Sequence, residues 1–144
     1  MVSFNVVSLL TSMPVNKACE CTRKKLENDD SLHDRSTLDV EDIIFLFTFV
    51  LSNNYFIYND TTYKQIHGCA IGSLVVAIIA YIFMEEIEVQ AIKQAPKPPK
   101  YGKRYVDDSF AILKKNAVST FHTTLNSIAD VSRQERRNTW GISN

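Results

Sequence analysis

No apolar run in this chain is long enough to cross a bilayer. The two longest, IIFLFTFVL (Ile43 to Leu51) and AIGSLVVAIIAYIFM (Ala70 to Met84), fall short of the roughly 18 to 20 residues that a spanning helix needs. The second also carries Gly72 and Ser73 near its start, so both read as buried core helices and a membrane partner is not expected. Net charge is missing too: Lys plus Arg number 16 and Asp plus Glu number 16, so the chain as a whole carries no charge that steers it to nucleic acid. Any basic surface must be local. Cysteine is scarce and odd in number. Cys19 and Cys21 form a Cys-x-Cys pair too cramped for an ordinary disulfide loop and without zinc-ligand spacing, and Cys69 stands apart. The setting this implies is reducing and intracellular, in nucleus or cytoplasm. His33, His67 and His122 stand singly, with no ligand-spaced Cys or carboxylate, and read as ordinary surface or core histidines. The opening MVSFNVVSLL has no basic n-region and no small-residue cleavage site, so a secretory signal is not expected. There is no internal repeat and no low-complexity block.

The 144 residues, 45% of them hydrophobic, suffice for one modest core, so a single globular unit is expected. VSFNVVSLL, rich in β-branched residues, reads as a buried strand, and PVNKACECTRKKLEN as a helix entered at Pro14. After the polar link DDSLHDRS, Ser36 or Thr37 is the expected N-cap of a helix to about Leu51. Asp39, Glu41 and Asp42 suit its first turn, and Asn53 and Asn54 its end. YFIYNDTTYKQI predicts a hairpin turning at Asn59 and Asp60. HGCAIGS is a glycine-bearing loop feeding a helix from about Leu74 to Lys93, and APKPPKYGK, with Pro96, Pro98 and Pro99, excludes regular structure. RYVDDSFAIL is a second hairpin with Asp107 and Asp108 at its tip. NAVSTFHTTLNSI closes the fold as an amphipathic helix capped by Asn116. This order is α+β: an antiparallel sheet with helices on one face, occupying residues 1–131, and a tail over 132–144 expected to be disordered.

Three places can carry chemistry. Two adjacent carboxylates, Asp107 and Asp108, on a rigid hairpin suit a divalent metal, although Asp is also an ordinary turn residue. Two-metal phosphoryl transfer needs a third oxygen ligand, and the candidate strand SFNVVSLL offers Asn5. Gly68 and Gly72 let backbone approach a nucleotide or template closely, or simply form a turn. Lys93, Lys97, Lys100, Lys103, Arg104, Lys114 and Lys115, interleaved with Tyr101 and Tyr105, make a local basic patch. It fits either a phosphate backbone or a solvated surface loop.

The segments SFNVVSLLTSMPV, YKQIHGCAIGSLVVAIIAYIFMEEIE, APKPPKYGKRYVDDSFAILK and FHTTLNSI occur in one order and spacing. From Val2 to about Ile128 the chain thereby resembles the reverse transcriptases of Penelope-like retroelements, a class of retrotransposon. The resemblance implies a polymerase palm and RNA-directed DNA polymerase activity, a nucleotidyl transfer run by two Mg²⁺ (or Mn²⁺) ions. RNA template, DNA primer and dNTP would be its partners. It implies Asp107 and Asp108 as metal-binding and catalytic carboxylates, with Asn5 at the place of the family's first-strand Asp. Nucleotide and template contacts fall on Leu10, Gly68, Gly72, Ser73, Lys103 and Arg104.

Departures from the family pattern imply an inactive copy. Phe-Asp-Val-Val-Ser-Leu-Phe-Thr in the family becomes a run with Asn5 for Asp and Leu10 for the aromatic that screens the sugar. Its Gly-Ser-Pro becomes Gly72, Ser73, Leu74, and a later Ser-Pro becomes Val76, Ala77. An uncharged Asn5 is a weaker ligand for shared dications. The palm strand opens the chain and the stretch after Ile128 is short and polar, so fingers and thumb are expected to be missing, as in a truncated reading frame. Two other readings stay open: a catalytically dead nucleic-acid-binding module, and a small interaction or membrane-associated protein whose apolar helices are exposed rather than buried.

Overall fold

The computed structural model describes all residues except 7, 8, 67, 71, 134–139 and 144. The expected roles of His67 and of the tail over 134–139 and 144 lie outside the described residues. In chain order the elements are β1 (Val2–Val6), α1 (Leu9–Ser12), α2 (Val15–Glu27), α3 (Leu32–Arg35), α4 (Val40–Ser52), β2 (Tyr55–Tyr58) and β3 (Thr61–Lys64). Then come α5 (Leu74–Gln94), β4 (Tyr101–Tyr105), β5 (Asp108–Ile112), a 3₁₀ turn (Lys115–Ala117), α6 (Val118–Arg133) and β6 (Trp140–Ser143). The protein is α+β and its sheets are antiparallel.

Length suggested one unit, but the contacts fall into two: Met1–Leu9 with Met84–Asn144, and Leu10–Phe83. The first is a sheet unit with strand order β4-β5-β1-β6. Alternation decides its faces. Phe4 and Val6 of β1 and Ala111 of β5 are buried. Phe4 packs on α6, its ring 5.8 Å from Phe121 and stacked on His122 at 6.1 Å. Residues one place out of phase, Ser3, Asn5, Asp108, Phe110, Ile112, Lys103 and Tyr105, share the opposite face. Buried Met84, Ile87 and Ala91 of α5 and Phe121, Leu125 and Ile128 of α6 recur at helical spacing and supply the rest of this core.

The second unit is mainly helical. α2 packs on α4, Arg23 and Glu41 form an ion pair between them, and Cys19 and Ile44 are buried. The N-cap of α4 is Asp39, whose carboxylate accepts from the Asp42 amide at 2.8 Å. Ser36, expected to cap it, instead accepts the Leu38 amide at 3.0 Å in the preceding turn. The link DDSLHDRS, read from sequence only as polar, carries structure of its own. Its one-turn helix α3 buries Leu32, and Asp29 accepts from the Ser31 amide and hydroxyl. The Ser31 hydroxyl, foremost, holds the Asp29 carboxyl below its ordinary range. The β2–β3 hairpin turns at Asn59 and Asp60, both left-handed with φ of 47° and 57°, the type I′ pattern that sets a two-residue turn.

Several further details differ from expectation. Of the strand expected over VSFNVVSLL, β1 covers Val2–Val6, and Leu9–Ser12 are helical. Tyr101, Gly102 and Lys103, in the stretch expected to be irregular, already belong to β4. Asn116 lies within the 3₁₀ turn, and α6 starts at Val118. In the tail expected to lack structure, Trp140–Ser143 form β6 on the free edge of β1. Only Trp140 and Ile142 of this strand are β-prone, but any segment gains ladder hydrogen bonds on an open edge, a gain that composition does not register. Among the described residues no helix is long and apolar enough to cross a membrane.

Candidate functional site

The hairpin β4–β5 closes with Tyr105 opposite Asp108, so Val106 and Asp107 are its two turn residues and Asp108 is the first residue of β5. The sequence placed both carboxylates at the tip; the register moves Asp108 into the ladder. Only the first turn residue, Val106, has a positive φ, 56°, the type II′ pattern normally given to glycine. A β-branched residue there is strained. Two contacts hold the turn in place: the Val6 amide donates to the Asp107 carbonyl at 3.1 Å, and Arg104 Nη1 donates to the Val106 carbonyl at 3.2 Å.

Beside the turn runs β1, with Asn5 directly opposite Asp108. Asn5 Nδ2 donates to Asp108 Oδ1 at 2.6 Å. The three polar residues singled out from two distant segments, Asn5, Asp107 and Asp108, thus meet at one end of the sheet. Their neighbours on the open face are Tyr105, 82% exposed, and Lys103, with Tyr101 and Phe110 also exposed further along it. Lys93, Lys97, Lys100, Lys114 and Lys115 are exposed in the same unit.

Arg104 departs from its neighbours. It lies on the helix-covered face, its side chain only 6% exposed, with Nε 3.0 Å from Glu88 Oε1 of α5. Ser109 Oγ donates to that same Glu88 oxygen at 2.8 Å. Arg104 is therefore placed to position the turn from behind rather than to meet a ligand in front. Sequence reasoning missed Glu88 and Ser109, although a signal existed. Glu88 falls four residues after buried Met84 and three before buried Ala91, and an acid on such a stripe requires a partner.

Comparison with protein-family models and with curated proteins returns no match.

Divalent metal is the natural ligand to test against this donor set. Mg²⁺ takes oxygen ligands, usually one or two carboxylates with water and phosphate completing the shell. Asp107 and Asp108 supply two carboxylates. Toward Asp108, however, Asn5 presents an N–H donor, not an oxygen. Among the described residues no three acidic, His or Cys side chains gather as a metal-holding group. The residues present do not fit a two-metal centre.

The remaining predicted residues belong to the helical unit. The Leu10 carbonyl accepts the Cys69 amide at 2.8 Å, which ties α1 to the glycine-bearing loop. Gly68 and Gly72 have φ of 67° and 100°, so glycine is required there by conformation. A Cβ on Gly72 would meet nothing within 4 Å, so close packing is not the reason. Ser73 accepts the Ala77 amide through its carbonyl and opens α5. Cys69, fully buried in this loop, has its thiol pushed up to about 11 by burial and then by Cys19 nearby.

Proposed function

We propose that this chain is the palm region of a reverse transcriptase from a Penelope-like retroelement, in a copy that has lost two-metal nucleotidyl transfer and keeps a nucleic-acid-binding sheet face. The observation that carries this reading is Asn5 opposite Asp108, with Asp107 beside them at the hairpin turn. The resemblance expects a first-strand carboxylate in the place of Asn5, and strands that share no sequence neighbourhood meet at that position. Loss of one negative charge there removes the shared ligand that a pair of dications needs. An intracellular setting, nucleus or cytoplasm, and RNA, DNA or dNTP as partners belong to this reading.

Support for retained binding comes from the open face. Exposed Tyr101 and Tyr105 beside Lys103 combine a stacking surface with a charge for phosphate. The test is fluorescence anisotropy of the full chain with a labelled DNA primer on an RNA template, alongside primer extension with Mn²⁺. The expected result is salt-sensitive binding without extension, and extension or metal binding gained in Asn5→Asp. A chain that binds no nucleic acid at low salt sinks the proposal.

A further inference from the structure

Among the described residues β2 and β3 form a two-stranded sheet. All eight residues of these strands are exposed. A two-stranded hairpin with such short arms is marginal in water, and a sheet gains independent stability from three or more strands. Something must make up the difference, and the two edges are not equivalent. β3 carries Lys64 and two threonines, and a lysine is a common device for keeping other strands off an edge. β2 reads Tyr-Phe-Ile-Tyr, without charge, proline or glycine, and it pairs with β3 alone among the described residues.

The sequence of β2 is complementary to itself. An antiparallel copy related by a two-fold axis through Ile57 sets Ile57 against Ile57 and Phe56 against Tyr58. These are the β-branched and aromatic cross-strand pairs that stabilise sheets. The result is a four-stranded sheet of order β3-β2-β2-β3. The stacked rings of Phe56 and Tyr63, 5.5 Å apart, would continue onto the same face of the second copy. Use of both β2 edges closes the assembly, and the lysine-bearing β3 strands become its outer edges.

We propose that β2 is a self-association edge and that its partner is a second copy of this chain. The two left-handed turn residues, Asn59 and Asp60, present it by fixing the hairpin.

The test is sedimentation equilibrium of the full chain over a wide concentration range. Ile57→Lys would place two lysines face to face at the axis. Thr62→Lys, opposite Ile57 on β3, adds the same charge off the β2 edge. Both positions are exposed, and far-UV circular dichroism checks that the variants fold. We expect a monomer–dimer equilibrium, weakened by about tenfold or more in Ile57→Lys and little changed in Thr62→Lys. Hydrogen exchange on the natural chain gives a second readout: amides of β2 gain protection as concentration rises, while those on the outer edge of β3 do not. A monomer at every concentration overturns the proposal, as does open-ended assembly. A dimer indifferent to Ile57→Lys also overturns it and moves the interface elsewhere, with exposed Phe45 and Phe49 of α4 the next surface to test.

Discussion

Asn5 Nδ2 donates to Asp108 Oδ1 at 2.6 Å across two antiparallel strands whose segments are separated by most of the chain. One neutral amide makes this contact favourable with no ion present. With Asp at position 5, two carboxylates would face each other at hydrogen-bond range, and only a cation or a proton could reconcile them.

Asn5→Asp therefore lowers stability in chelator by about 1 kcal/mol, from a lost hydrogen bond and an opposed like charge. Mn²⁺ raises its melting temperature while leaving the natural chain's unmoved. Thermal melts with and without the ion make the comparison, and equal metal responses in both proteins would count against it.

The Glu88–Arg104 pair is the support behind the turn. Arg104→Met leaves Glu88 and the Val106 carbonyl without that partner and costs about 2 to 3 kcal/mol in urea unfolding. Lys103→Ala, one residue away on the exposed face, stays within about 0.5 kcal/mol in the same experiment.

Binding separates the same neighbours in the opposite sense. Lys103→Ala weakens affinity for an oligonucleotide about equally across sequences and reduces the salt slope by about 1. Tyr105→Ala costs about 1 to 3 kcal/mol through lost stacking and leaves the slope unchanged. Anisotropy titrations at several salt concentrations give both quantities.

Val106 holds a left-handed conformation that a β-branched residue resists. Val106→Gly releases strain of order 1 to 3 kcal/mol and sacrifices up to about 1 kcal/mol of unfolded-state restriction. The net outcome is a protein about 1 kcal/mol more stable, measured by denaturant midpoint.

Burial raises the Cys69 thiol from 9.0 to about 11. A raised folded-state value means the folded form keeps its proton while the unfolded form loses it. Stability from this group is intact below pH 9 and is lost as pH rises toward about 11. Denaturation midpoints should fall across that window in the natural chain and fall less in Cys69→Ala.

Much of the secondary structure was legible because it is local. Asn59 and Asp60 announce a tight hairpin by their tolerance of positive φ, and the unbroken apolar run from Leu74 to Met84 announces a buried helix by its length. Asp39 was legible as a first-turn acid but not as the cap, since Ser36, Thr37 and Asp39 compete for one role and main-chain geometry chooses among them. In the sequence Glu88 stands only as one residue of a helix. Its role depends on Arg104 and Ser109, which lie on two strands beyond a proline-rich link.

The sequence by itself determined most of the element types, though not α1, α3 or β6, together with the paired aspartates beside a basic and aromatic stretch and the chemical fact that Asn5 is neutral. Side-chain character and short-range periodicity suffice for these. Tertiary structure alone decided that Asn5 stands opposite Asp108, that Val106 rather than Asp108 occupies the turn, and that Arg104 faces inward while Lys103 faces out. Strand register sets all three: a shift of one residue exchanges the two faces of a strand, and only long-range pairing fixes that shift.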